Sequence, residues 1–217
     1  MNLKKQKKVN KRIYKKIKSV FDILFALIFL IIGSPLFFLI SIFIKLSSRG
    51  PIFFLQERIG KNNKIFKCIK FRTMHPEADD ILKNLLNRND YLKKEFEENH
   101  KLKNDPRITT FGKFLRKTSL DELPQLINVI RMEMSIVGPR PIVYLEKIKY
   151  GKDFVKIISI RPGITGLWQV SGRNNLSYDR RISLDLNYVN NMNFLMDIRI
   201  IIRTIGVIIF PKDRGAY

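Results

Sequence analysis

From Ile23 to Ile44 the chain runs through 22 residues without a charge, ILFALIFLIIGSPLFFLISIFI. A helix of that length reaches about 33 Å, enough to cross a bilayer. Gly33-Ser34-Pro35 interrupts the run at its centre. Pro35 has no N–H and crowds the carbonyl of Ile31, which predicts a bend or break there. Both flanks are basic. Lys11, Arg12, Lys15, Lys16 and Lys18 precede the run; Lys45, Arg49, Arg58, Lys61, Lys64, Lys67, Lys70 and Arg72 follow it. Positive flanks favour the cytoplasmic side, and neither end reads as an outside end. A re-entrant helix satisfies both facts: it turns at Ser34-Pro35 and returns to the same face, each arm covering about 15 Å, roughly one leaflet. The Ser34 hydroxyl would help satisfy carbonyls freed by Pro35. On pattern alone an ordinary kinked spanning helix is the alternative. A cleaved leader is disfavoured, because the apolar core is too long and KLSSRG offers no small-x-small site.

Charge narrows the partners. Among 217 residues, 41 are Lys or Arg and 19 are Asp or Glu, a formal net charge of +22. Residues 1–18 hold nine of the basic residues and no acid. Such an excess favours an anionic partner: nucleic acid, anionic lipid or a phosphorylated substrate. A hydrophobic content of 45% excludes a disordered basic tail protein. Cys68 is the one cysteine, which excludes an intrachain disulfide framework and a Cys-rich zinc site. With only His75 and His100, a histidine metal centre is disfavoured as well.

Beyond Gly50-Pro51, two apolar runs flank the polar turn Lys61-Asn62-Asn63-Lys64 and predict a β-hairpin over residues 52–57 and 65–72. Pro76 opens a charged helix to about Glu98, and Asp105-Pro106 marks a turn. Thr109 or Thr110 caps a short helix through Lys117, and a further helix covers 121–131. Gly138-Pro139-Arg140-Pro141 reads as an irregular loop, and RPGITGLWQVSGRN as a structured one. Helices are predicted at 142–149, 152–159, 178–190 and 194–209. The last is very apolar yet carries Asp197, Arg199 and Arg203. It reads equally as an interfacial helix or as a core helix with one wet edge.

Chemistry concentrates in residues 116–125, RKTSLDELPQ. Asp121 and Glu122 are adjacent, just after Ser119. A bland reading is available: Ser119 and Glu122 match a capping box, and two acids in a first turn suit the helix dipole. Pro124 complicates that register, since Pro prefers the first helical position. The same helix N-terminus, beside Arg116 and Lys117, would also bind phosphate. Arginines next to glycine or proline recur at Arg107, Arg140, Arg161 and Arg173. Guanidinium groups in rigid turns suit bidentate phosphate recognition, although each taken singly reads as a solvated surface residue. Walker, Rossmann and nucleophile-elbow sequences do not occur.

The ordered motifs Ser34-Pro35, GPIFFLQERIG, IFKCIKFRTM, DPRITTFGKFLRKTSLDELPQL, MSIVGPRP and RPGITGLWQVSGRN, from about Lys15 to Thr204, resemble the bacterial sugar transferase family, the monotopic phosphoglycosyl transferases acting on polyprenyl phosphate. The resemblance implies a two-step reaction. Asp121 attacks the sugar-bearing phosphorus of a UDP-sugar, UMP leaves, and polyprenyl (undecaprenyl) phosphate takes the sugar phosphate from the enzyme. It implies Mg²⁺, with Glu122 associated with its binding. Arg116, Arg140 and Arg161 are expected at phosphate or nucleotide groups, with Lys70, Arg72 and Arg173 as further candidates. Asp185 also matches a family acid, for which a structural role is at least as well supported. Met192 departs from the aromatic residue common in relatives, and the extra N-terminal membrane helices of larger members are not seen.

The fold expected is therefore mainly α with a small β-hairpin: a basic segment over 1–18, a re-entrant membrane helix over 19–48 broken at Ser34-Pro35, and an α-rich catalytic domain with interfacial helices over 49–217. The resemblance places the chain at the inner membrane as a monotopic protein, with both termini and the active site facing the cytoplasm. The partners are a nucleotide-sugar donor, polyprenyl phosphate and the membrane, not nucleic acid; a homo-oligomer stays open. Two rival classes are a non-enzymatic basic membrane module, which leaves the acid pair unexplained, and an aspartyl-phosphate hydrolase, which would send water to the intermediate.

Overall fold

The computed structural model describes residues 3–99, 102, 104–172 and 175–210. They fall into two compact units. The first comprises the chain up to Ser34, Leu55–Ile69 and the chain from Pro124; the second comprises Pro35–Phe54 and Lys70–Leu123. Among the described residues the structure is mainly helical, with two small two-stranded sheets.

Helix α1 (Leu3–Ser47) contributes to both units, and the division falls between Ser34 and Pro35. The expected break is not present as an end of the helix, because helical structure continues through Pro35. The reason is local. Proline cannot donate to the carbonyl four residues back, that of Ile31, and Ser34 Oγ donates to that same oxygen at 2.9 Å. Ile31, Ile32, Phe38 and Leu46 are each at least 67% exposed, an apolar surface of the kind that lipid covers.

β1 (Phe53–Ile59) and β2 (Ile65–Phe71) form the predicted hairpin, most of which belongs to the first unit. The tight turn between them uses Asn62 and Asn63 at positive φ, which asparagine tolerates. Helix α5 (Gln125–Ile130) adds Asn128, which is wholly buried. Its Oδ1 accepts from the Ile69 amide at 3.0 Å and its Nδ2 donates to the Lys67 carbonyl at 2.8 Å, satisfying backbone groups on one edge of β2. Residues 138–141 form the irregular loop expected, while a short strand precedes it and another opens the RPGITGLWQVSGRN segment, expected as a loop. β3 (Ser135–Val137) pairs in parallel with β4 (Gly163–Thr165), with Ser135 opposite Gly163 and Val137 opposite Thr165. The glycines beside them permit the approach: a Cβ on Gly138 would sit 2.7 Å from the Arg161 carbonyl oxygen, and one on Gly163 would overlap the Gly138 amide. MSIVGPRP and RPGITG are thus two sides of one close backbone contact.

The core of this unit joins Ala26 of α1 to Phe66 and Cys68 of β2, Val129 of α5, Ile136 of β3, Tyr188 of α8 (Tyr178–Asn191) and Ile200 of α9 (Phe194–Ile209). The two helices expected over 142–159 are shorter, with 3₁₀ turns leading into α6 (Lys147–Tyr150) and α7 (Phe154–Ile157). Their side chains Tyr150, Phe154 and Ile157 pack with Ile59 and Ile182 in a second cluster. α9 buries Asp197 and Ile200, as the core-helix reading expects, and leaves Leu195, Ile202, Ile205 and Ile208 exposed.

A buried polar cluster fixes the first arm of α1. Tyr14, Lys18 and Asp22 lie four residues apart on one face. Lys18 Nζ is 2.9 Å from Asp197 Oδ2 and 3.3 Å from Asp22 Oδ1. Tyr14 and Tyr188 donate to Asp197 at 2.6 and 2.7 Å, and Ser135 Oγ donates to Asp22 at 2.6 Å. Each acid is met by several donors, as buried charge requires.

The second unit holds α2 (Ala78–Arg88), α3 (Asp90–Asn99) and α4 (Thr110–Thr118). The single helix expected from Pro76 is divided at Asn89. That residue is extended (φ −146°, ψ 102°), and its side chain accepts from the amides of Tyr91 and Leu92, which starts a new helix. Ile40 and Ile44 from the second arm of α1 pack with Phe71 and Leu115 to form the core.

Candidate active site

Leu115 anchors α4 in that core, and Thr109 Oγ1 caps the helix by accepting from the Gly112 amide at 2.9 Å. The helix ends at Ser119, which adopts φ 59° and ψ 16°, the left-handed conformation of a helix C-terminus. Ser119 also opens the next turn, but its side chain makes no cap hydrogen bond there, so the capping box with Glu122 is absent. A single 3₁₀ turn, Leu120–Glu122, follows, and α5 begins after Pro124. Leu120 and Leu123 pack on the Ile40–Leu115 core. They hold in place the two acids between them.

Lys70, near the end of β2, reaches this turn. Its Nζ donates to Glu122 Oε1 at 2.8 Å, with both side chains largely but not wholly buried. Arg116, in the last turn of α4, donates from Nε to Thr73 Oγ1 at 2.9 Å. Burial pulls the Arg116 guanidinium down from its usual range, and the charge of Asp121 opposes that pull. Asp121 itself is pushed up to about 6, first by burial and then by the negative charge of Glu122; Lys70 and Arg116 hold it from rising further. The result is two adjacent carboxylates in a pocket of cations, one of them poised close to neutral pH.

Among the described residues no cluster of three or more His, Cys, Asp or Glu side chains could hold a metal ion. Mg²⁺ does not need one, because it is commonly held by one or two carboxylates together with substrate phosphates and water. Asp121 and Glu122 supply that donor set, and the mutual repulsion that raises Asp121 is what a cation would relieve.

The other arginines are distributed differently. Arg72 is buried in the second unit and donates to the carbonyls of Arg49 (3.0 Å) and Ser48 (2.7 Å), just past the end of α1, where a cation suits the helix dipole. Arg107 is bound to Asp105, with Nε at 2.8 Å and Nη2 at 2.6 Å from the carboxylate. Arg140 and Arg161 belong to the first unit. Arg140 follows β3 and lies over the Trp168 ring at 5.9 Å. Arg161 donates from Nη2 to Ser19 Oγ on α1. Arg173 lies outside the described residues. Lys70, Arg116, Asp121 and Glu122 are thus brought together, and Arg72 and Arg161 are engaged by protein oxygens. The residues not anticipated are Tyr14, Lys18, Asp22 and Asn128. The spacing of the first three along α1 was a visible signal, but their partner Asp197 is far away in sequence.

Comparison with known proteins agrees with the motifs. The profile described as bacterial sugar transferase matches residues 13–211. The chain is 46% identical over 200 residues to the exopolysaccharide production protein ExoY of Rhizobium meliloti, covering 92% of this chain and 88% of that one. It is 44% identical over 218 residues to an undecaprenyl-phosphate galactose phosphotransferase of Salmonella typhimurium, covering 100% of this chain and 45% of the relative. It is 36% identical over 211 residues to an undecaprenyl-phosphate glucose phosphotransferase of Komagataeibacter xylinus, covering 90% of this chain and 36% of the relative. The chain spans less than half the length of the latter two.

Proposed function

The chain belongs to the bacterial sugar transferase family, and on that footing we propose a reaction of two displacements at one carboxylate. The protein is a transferase that moves a sugar phosphate to undecaprenyl phosphate in polysaccharide biosynthesis. The finer steps rest on Asp121, a carboxylate set between Lys70 and Arg116 and raised to about 6. An Asp121 oxygen attacks the sugar-bearing phosphorus of a UDP-sugar. An O–P bond forms, the P–O bond to the other phosphate breaks, and UMP leaves with the electron pair. A phosphate oxygen of undecaprenyl phosphate then attacks the same phosphorus, and the Asp121–phosphorus bond breaks to return the carboxylate. Splitting the transfer this way replaces one difficult encounter of anions with two easier ones.

Lys70 and Arg116 offset the charge of the approaching diphosphate and of the equatorial oxygens. Glu122 would hold Mg²⁺, which when bound supplies further positive charge at the diphosphate. Arg140 is assigned to a donor phosphate on the strength of its motif. The exposed apolar surface of α1 supports membrane association, and the basic flanks support a re-entrant placement with the site facing the cytoplasm, where a water-soluble donor meets a lipid acceptor.

Purified protein incubated with a UDP-sugar and Mg²⁺, without acceptor, should release UMP in an amount that does not exceed the enzyme. Acceptor should convert this burst into turnover, and a digest should yield the Asp121 peptide carrying the mass of a sugar phosphate. UMP release that requires acceptor from the first turnover, with no modified peptide, would refute the covalent route. Topology has its own test: a thiol placed by Lys5→Cys should react with an impermeant reagent from the cytoplasmic side alone, and labelling from outside would overturn the re-entrant placement.

The raised carboxyl makes a further prediction. The nucleophile must be ionised, so kcat/KM for the donor should fall by about tenfold per pH unit below about pH 6. Glu122→Gln removes the like charge beside Asp121 and should move this limb to lower pH, whatever it does to the absolute rate. A pH profile of UMP release checks both. A flat profile from about pH 5 to about pH 8 contradicts the assignment.

A further inference from the structure

An arginine side chain carries several N–H donors in a rigid fork, and what each of them meets decides what the residue can do. In the second unit, Arg72 gives both Nη groups to the carbonyls of Arg49 and Ser48, and Arg107 gives Nε and Nη2 to the Asp105 carboxylate. Both are spent on the fold. Arg116 is held differently. Its Nε–H donates to the Thr73 hydroxyl at 2.9 Å, and among the described residues that is its one hydrogen bond; it forms no ion pair among them. A guanidinium can grip an oxyanion side-on, through Nε and one Nη, or end-on, through both Nη groups. With Nε taken by Thr73, the end-on fork remains, in a side chain that feels the charge of Asp121.

Thr73 is fixed from several sides, all within the second unit. It is buried and follows directly on β2 and Arg72, whose amide donates to the Ile52 carbonyl at 2.8 Å. The Thr109 amide donates to the Thr73 carbonyl at 3.0 Å, the His75 amide donates to the Arg107 carbonyl at 2.9 Å, and Met74 bridges Ile108 between them. Gly112 of α4 lies against the same carbonyl: a Cβ there would sit 2.0 Å from the Thr73 oxygen. Arg116 is one helical turn beyond Gly112, on the same face of α4. One close backbone contact therefore sets both the hydroxyl and the root of the arginine.

We propose that Thr73 is a positioning residue for the reaction: its hydroxyl takes the Nε–H of Arg116, fixes the plane of the guanidinium and leaves the end-on fork to grip a donor phosphate. A hydroxyl suits this task better than a carboxylate, because it orients the group without cancelling the charge that the phosphate needs. The consequence for binding rests on the reading of Arg116 as a phosphate ligand. The hold on Arg116 does not.

The experiment compares Thr73→Val, which keeps the shape and removes the acceptor, with Thr73→Ser, which keeps the acceptor and removes the methyl group. The first readout is hydrogen exchange of the Arg116 Nε–H, followed by NMR on the full chain with isotope-labelled arginine; its signal is identified by its loss in Arg116→Lys. Exchange should be slow in wild type and Thr73→Ser and clearly faster in Thr73→Val. The second readout is the affinity for UDP in the presence of Mg²⁺. Thr73→Val should weaken it by about tenfold, Thr73→Ser by no more than about twofold, and Thr73→Val should add nothing in an Arg116→Ala background. The proposal is overturned if Thr73→Val matches wild type in either readout, if Thr73→Ser loses as much as Thr73→Val, or if the loss persists without Arg116. Should Thr73→Val not fold, Thr73→Ala removes the same acceptor and carries the same expectations. If exchange responds as expected but Arg116→Ala leaves UDP affinity unchanged, the hold on Arg116 stands and its phosphate reading falls.

Discussion

Asp121→Asn yields a protein that still folds and still associates with membranes, while transfer falls by about ten-thousandfold or more. The amide keeps the size of the carboxyl and removes the oxygen nucleophile. Stability should move the other way. In the folded chain the Asp121 carboxyl holds its proton up to about pH 6, above its ordinary value of 3.8, so folding is favoured as pH falls and the ionised form is a cost above that range. Asparagine removes the cost. At pH 8 the variant should therefore melt no lower than wild type, and it should gain about 1–2 kcal/mol once partial solvent contact is allowed for. UMP release and a thermal melt on the same preparation separate the two effects. A variant that transfers normally ends the nucleophile assignment. One that melts far below wild type contradicts the electrostatic account of the pair.

The second large effect is structural. Lys18 is the cation between Asp22 and Asp197, and both of those carboxyls are almost fully buried. Lys18→Met leaves two buried charges short of a partner and should cost about 3–5 kcal/mol, which for a chain of this size is a fall of roughly 10 °C in melting temperature. Adding Asp197→Asn removes one of the stranded charges. The double variant should then recover at least half of the loss, since Tyr14 and Tyr188 can still donate to the remaining carbonyl oxygen. Purely additive losses would show that the three groups do not act as a cluster.

Much of this architecture is legible in the order of residues, and the pattern of success has physical causes. Helices predicted at 178–190 and 194–209 occur at Tyr178–Asn191 and Phe194–Ile209, because each pairs an amphipathic period with a capping Ser177 or Asn193. The hairpin is legible for a similar reason, with two apolar runs around an Asn-containing turn. The strands β3 and β4 are not, since three residues beside glycine and proline carry no period. The acid pair was readable as a pair but not as a turn. A left-handed Ser119 converts an apparent capping box into the junction of two helices, and nothing in SLDE announces that conformation. The helix division at Asn89 is not legible, because the apolar spacing continues across it. The Lys18 cluster was half visible: its stripe on α1 could be read, but its partners Ser135, Tyr188 and Asp197 arrive only with the fold.

The way α1 is shared has a practical consequence for anyone seeking a detergent-free enzyme. Ala26 is sealed into one core, and Ile40 and Ile44 into another. The segment is therefore no detachable tether. Clipping it away to obtain a water-soluble fragment would open both hydrophobic interiors at once, and what remains should aggregate rather than turn over substrate.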